Sequence, residues 1–84
     1  GYAMTINDGA QVILQDPHRI ASLLPVGVTS IEGEFKTGDL VTICNAAGKE
    51  IGVGVSSYDA AALQQCLGQQ GHKAAIHYDY MFIY

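Results

Sequence analysis

Two cysteines and three histidines are the side chains of this 84-residue chain best suited to hold a metal ion or to act as a nucleophile–base pair. Cys66, His72 and His77 follow one another, and Cys44 or His18 could complete a tetrahedral set. Structural zinc sites favour closely paired ligands such as a C-x-x-C step. Here five residues separate Cys66 from His72 and four separate His72 from His77, and no pair repeats. A cysteine–histidine nucleophile needs a third group to orient the imidazole and a pocket for the oxyanion. Asp79 has the chemistry for the first task, but its spacing does not select it. We therefore assign no metal ligand, no catalytic residue and no cofactor-binding residue in this chain. The cysteines are expected to be buried thiols in a reducing cytoplasm, since two of them make no disulfide framework.

Gly52-Val53-Gly54 has the composition of a phosphate loop. Phosphate-cradling glycines sit where a strand turns into a helix and N–H groups converge. These glycines lie inside an alternating strand pattern, where a bare position means close packing over the backbone. His18-Arg19 could contact a phosphate, yet a single basic dipeptide also fits a solvated loop. The final segment offers more. Ile76, Tyr78, Tyr80, Phe82 and Tyr84 alternate, which places them on one face of a straight strand. Such a row can close a core, meet another domain or subunit, or stack single-stranded bases.

Short elements must position these residues. Tyr2 to Ile6 is an expected first strand, with residues 1–4 frayed or extraneous to the domain. Asp8 to Gln15 reads as a helix capped by Asp8, with Gln11 placed as in a capping box. Ala10, Ile13 and Leu14 share its inward face, and Pro17 stops it at Asp16. Val26 to Ile31 is the second strand, and Phe35 is expected to plug the core. Lys36 to Asp39 is a turn in which Gly38 supplies a left-handed position. Leu40 to Cys44 is the third strand, with Val41 and Ile43 on one face. Asn45 to Gly48 is a hairpin loop. Ile51, Val53 and Val55 then alternate with Gly52 and Gly54, giving one apolar and one bare face. Ser57 or Asp59 can cap a second helix from Ala60 to Leu67. Ala60, Leu63 and Leu67 would face inward, with Gly68 ending the helix. Gln69 to Lys73 is a loop, and Ala75 to Tyr84 is the last β-stretch.

Composition narrows the function classes. The formal net charge is −4, and Arg19, Lys36, Lys49 and Lys73 are the only cations besides the histidines. RNA affinity depends on neutralising phosphates with Lys and Arg, so RNA is a disfavoured partner. Charged residues make up 14% of the chain, against about 25% in typical soluble domains. A domain whose surface is partly covered in a larger chain or assembly would have this composition. No apolar run approaches the ~20 residues of a membrane span, and the start lacks the features of a signal peptide. The expectation is one small domain in the cytoplasm, with no membrane partner.

The central stretch carries a resemblance. Ser22-Leu23-Leu24-Pro25, Gly27-Val28, Glu32-Gly33-Glu34-Phe35, Gly38-Asp39, Val41 and Gly48 to Gly54 resemble the PUA domain. They are most similar to the copy at the C-terminus of glutamate 5-kinase. Asp8-Gly9-Ala10, Tyr58, Ile76-His77 and Asp79 extend the resemblance. Tyr78 and Tyr80 replace the arginine and asparagine usual in that family, and the loop after Leu67 is short. The resemblance implies a mainly β (α+β) fold, a PUA-like pseudo-barrel of about five to six strands with two short helices. It implies an accessory or regulatory domain of an enzyme that phosphorylates glutamate in proline biosynthesis. ATP and magnesium belong to the parent kinase, whose catalytic domain lies outside this chain. The implied partners are that amino-acid kinase domain, a homo-oligomer, or both, and the contact candidates are Tyr78, Tyr80, Phe82 and Tyr84. An RNA-binding module is the alternative, with Arg19, Leu24, Pro25, Gly27 and Lys36 facing the RNA. A third reading, a small-ligand domain, requires a deep apolar pocket with converging polar groups.

Overall fold

The computed structural model describes residues 1–84. Its elements run β1 (Ala3–Ile6), α1 (Asp8–Gln15), a 3-10 turn at Pro25–Gly27 and β2 (Val28–Glu32). They continue with β3 (Leu40–Cys44), β4 (Glu50–Val55), α2 (Ala60–Gln64), a 3-10 turn at Tyr78–Tyr80, and β5 (Met81–Ile83). The five strands form one sheet in the order β2-β1-β3-β4-β5. β1 runs parallel to β3 and every other neighbouring pair is antiparallel. A separate bridge between Leu23 and Ile76 ties the chain after α1 to the last segment. This is the mainly β, two-helix, PUA-like architecture that the resemblance implies.

The core forms where the inner face of the curled sheet meets the long connections. Met4 and Ile6 of β1, Val41 and Ile43 of β3, Leu63 of α2, and Leu23, Phe35 and Ile76 are all buried. Phe35 is the plug that its position predicts: it is fully buried, with the Tyr2 ring edge-on at 6.0 Å. Its carbonyl accepts the Ala60 N–H at 2.8 Å. That bond satisfies an otherwise free donor at the start of α2 and fixes the helix against the core. Gly38 takes the left-handed conformation expected of it, at φ +95°.

Several expectations change in detail. Residues 1–4 are not a frayed end from Ala3 onward. β1 is an interior strand, and Met4 is fully buried. The α1 cap is Asn7, whose Oδ1 accepts the Ala10 N–H at 2.8 Å. Asp8 is instead the first helical residue. Gln11 makes no capping box and donates to the Gln15 side chain. Pro25 and Gly27 form the 3-10 turn, so β2 starts at Val28. α2 ends at Gln64, and Cys66 is more deeply buried than Leu67. Asp59 stands at the cap position of α2 without capping it, because its carboxylate accepts from Thr37.

The close packing expected over the bare face of β4 is present. Gly52 and Gly54 pair with Ile43 and Val41, so the bare face is the inner one. Val53 and Val55 lie on the outer face and are only half-buried. A Cβ at Gly52 would stand 2.6 Å from the Phe82 carbonyl oxygen, and one at Gly54 2.6 Å from Ile76 Cγ2. The glycines let the final segment curl across β4. That curl also breaks the long last strand: Ile76 turns into the core, Tyr78–Tyr80 form the 3-10 turn, and only Met81–Ile83 pair with β4.

Candidate interaction surfaces

Breaking the last strand separates its aromatic row from the core. Ile76 is fully buried, whereas Tyr78 is 45% exposed, Tyr80 63%, Phe82 65% and Tyr84 63%. The core-closure role falls to Ile76, with Met81 and Ile83 of β5 packed against the core, and the four rings stand outside. His77 organises the near end. Its Nδ1 accepts the Asp79 N–H at 3.2 Å, capping the 3-10 turn. Its ring stacks on Tyr78 with centroids 4.3 Å apart. The Tyr78 N–H donates to Ser22 Oγ at 3.0 Å, anchoring this end to the segment after α1. At the far end the Phe82 and Tyr84 rings lie 6.0 Å apart. The Tyr84 hydroxyl donates to the Glu50 carboxylate, which pushes the phenol above the ordinary tyrosine range.

The sheet extends this surface. Phe82 pairs with Val53 and Leu40 pairs with Val55, so their side chains share the outer face. Leu40 is 63% exposed. No lysine or arginine occurs from Ala74 to Tyr84. The surface is therefore aromatic, weakly hydrogen-bonding and without cations. It can bury apolar area against protein and has nothing with which to neutralise phosphate.

A second surface lies beside α1. A groove of about 320 Å³ runs between Ala10, Ile13 and Leu14 on one side and Leu23, Leu24 and Val26 on the other. Gly27 lets the 3-10 turn meet the helix, since a Cβ there would come 2.7 Å from the Ala10 Cβ. Arg19, Leu24 and Gly27 of the RNA-facing candidates line this groove. Pro25 is buried, and its carbonyl accepts the Gly68 N–H at 2.9 Å. Lys36 lies in a different hollow, with Glu34, Phe35 and Gln64. The five candidates therefore do not form one basic face. Arg19 is the one charged side chain on the groove, which is otherwise largely apolar. Asn7 and Ser22, which line it, already bond the Ala10 and Tyr78 backbone.

The metal and nucleophile candidates are dispersed. No three His, Cys, Asp or Glu side chains gather closely enough to hold a metal ion. Cys66 is buried, with its thiol 3.8 Å from the Ala62 carbonyl oxygen. His72 contacts Gln69, and His77 contacts Asp79. Burial, then the carboxylates of Glu50 and Glu32, push the Cys44 thiol up, away from a reactive thiolate. Gly52 and Gly54 have no room for a phosphate, since β5 and Ile76 occupy the space above them.

Comparison with known proteins agrees with this geometry. The model of the PUA domain family matches residues 2–78. The glutamate 5-kinase of Chlorobaculum tepidum is 44% identical over 96% of this chain, which spans 22% of that protein. The glutamate 5-kinase of Bacteroides thetaiotaomicron is 44% identical over 93% of the chain, which spans 21% of it. A PUA domain from Aeropyrum pernix, crystallised as a tartrate complex, superposes with a TM-score of 0.79 at 26% identity. That match covers 90% of this chain and 40% of the other. The archaeal box H/ACA sRNP Nop10–Cbf5 complex contains the same fold, with a TM-score of 0.66 at 18% identity. That match covers 99% of this chain and 23% of the other. With the family model matched along nearly its whole length and the fold reproduced in solved structures, this chain belongs to the PUA domain family.

Proposed function

We propose that this chain is the accessory domain of a glutamate 5-kinase, and that it acts as a surface for domain docking, oligomer assembly or regulation. The observation that carries this reading is the 44% identity to glutamate 5-kinases, which runs across 96% of the chain in one case and 93% in the other. The parent enzyme would transfer a phosphoryl group from ATP, with magnesium, to the glutamate side-chain carboxylate. Its catalytic groups would lie outside these residues, in the cytoplasm with the rest of the protein. This domain's contribution would be the uncharged aromatic face of Tyr78, Tyr80, Phe82 and Tyr84.

The test is to express the complete polypeptide that carries this domain and to measure ATP-dependent formation of glutamyl phosphate, with and without residues 1–84. The expected result is glutamate phosphorylation that survives deletion of the domain, with altered assembly or altered inhibition by proline. A complete polypeptide that does not phosphorylate glutamate would overturn the assignment.

A further inference from the structure

α1 turns apolar side chains inward, yet none of its residues is buried. Ala10, Ile13 and Leu14 stay half-buried beside the groove, and Leu24 and Val26 on the facing wall are 49% and 36% exposed. The walls meet where Gly27 touches Ala10, so the hollow has a closed floor. Its volume of about 320 Å³ lies at the lower end of small-molecule sites. A specific protein partner engages roughly 20–30 residues a side, and only twelve line this groove. Its size therefore favours a small ligand.

The polar groups on the groove have donors to spare. The Tyr78 N–H already occupies Ser22 Oγ, and the Ser22 hydroxyl proton has no protein acceptor. Arg19 is exposed and has no carboxylate partner, since the one ion pair in the structure joins His77 and Asp79. None of the eight Asp and Glu residues lines the groove. Arg19 follows the C-terminal end of α1, and Asn7 caps its start, so the charge stands at one end. Between the ends the wall is apolar. One unpaired guanidinium and a free hydroxyl call for a singly charged, acceptor-only head. A carboxylate has that chemistry, and it matches the planar fork of Arg in a bidentate pair. The eight residues of α1 rise about 12 Å, which accommodates an extended chain of roughly eight to ten bonds.

We propose that the α1 groove binds a medium-length aliphatic monocarboxylate. Arg19 holds the carboxylate, with the Ser22 hydroxyl as second donor. The chain lies along Leu14, Ala10, Leu24 and Val26 toward Asn7. This site is separate from the aromatic face and does not rest on the kinase reading. The chain gains by leaving water, and the head by the charge-assisted pair, so the two halves can be measured apart.

Amide shift mapping of the 84-residue chain with octanoate and with its neutral analogue octanamide tests this. The expected result is saturable one-to-one binding of octanoate with Kd below about 1 mM. Shifts should be confined to Gly9, Ala10, Leu14, Leu24 and Val26, with β5 unmoved. Octanamide should bind the same residues at least about tenfold more weakly. Butanoate should be weaker than octanoate by more than about tenfold, because each buried methylene contributes. Arg19→Gln, at an exposed position, should weaken octanoate about tenfold and octanamide by less than about twofold. Lys49→Gln makes the same change in net charge away from the groove and should leave both unchanged. Leu24→Ser should weaken acid and amide alike. Circular dichroism checks that the variants fold, and the acid–amide comparison on the native chain needs no variant. No saturable shift up to about 10 mM, equal binding of acid and amide, or equal effects of Arg19→Gln and Lys49→Gln would overturn the proposal. Octyl phosphate binding more than about tenfold tighter than octanoate would overturn the choice of a carboxylate.

Discussion

The Ile76 side chain lies directly on Gly54. A Cβ built at Gly54 would stand 2.6 Å from Ile76 Cγ2 and 3.1 Å from the Tyr80 carbonyl oxygen. Gly→Ala in an ordinary strand would stabilise by roughly 0.4–1 kcal/mol through the unfolded chain. Here the overpacking costs about 1–3 kcal/mol, so Gly54→Ala should be net destabilising. Urea midpoints read this directly. Gly52→Ala should act differently, because its methyl would meet the Phe82 backbone. It should loosen β5, seen as faster amide exchange at Phe82 and Tyr84, before it lowers global stability.

The start of α1 separates two side chains that look equivalent in the sequence. Asn7 accepts the Ala10 N–H, and Asp8 accepts no backbone bond of the helix. Asn7→Ala should cost about 1 kcal/mol. Asp8→Ala should cost about 0.3–0.5 kcal/mol, the share of a first-turn acid interacting with the helix dipole. Equal losses in chemical denaturation would contradict this assignment of the cap.

Acid stability should depend on Asp59. Its carboxylate accepts from the Thr37 N–H at 2.8 Å and the Thr37 hydroxyl at 3.2 Å. These bonds, with Lys36 nearby, hold its pKa below the ordinary 3.8. The ionised form is favoured in the fold. Its contribution is therefore complete above the ordinary value and lost as pH falls through the depressed one. Urea midpoints between about pH 6 and pH 2 should fall less steeply in Asp59→Asn than in the native chain. Parallel acid limbs would remove Asp59 from the linkage.

Much of this fold could be read from residue order, and the unread parts have specific causes. The turns at Gly38 and Gly48, the strand at Leu40–Cys44 and the plug at Phe35 follow from local chemistry and were legible. The inward direction of Gly52 and Gly54 was not. Alternation shows that two faces differ, but the apolar face of an isolated strand looks like the core face. What makes the glycine face the inner one is the later arrival of Ile76 and β5, which no local window contains. The same curl turns Ile76 away from Tyr78 and splits a row that reads as one face. The site was half legible. The four aromatic residues all stand exposed, while Leu40, Val53 and Val55 share their face only through the sheet. Arg19 and Lys36 are both cations near the first helix or its following strand in sequence, yet they line separate hollows.

That separation yields a prediction for RNA. With a formal net charge of −4 and no convergent basic face, binding to structured RNA at physiological salt should be no tighter than the nonspecific range of about 10⁻⁴–10⁻⁶ M. Arg19→Ala should change it by less than about threefold, since one phosphate contact carries a small part of such binding. Fluorescence anisotropy at two salt concentrations measures both. A sub-micromolar Kd that weakens steeply with salt would favour the RNA-binding alternative.

The aromatic face is the centre of this account, and sedimentation velocity of the complete polypeptide tests it most directly. Replacing Phe82 and Tyr84 together by serine makes these exposed positions polar and small, and on the proposed function leaves the parent's catalytic groups untouched. The account predicts a smaller or dissociating assembly, with glutamate phosphorylation at saturating substrate retained. An assembly that sediments identically to the native protein, with an unchanged response to proline, would contradict it.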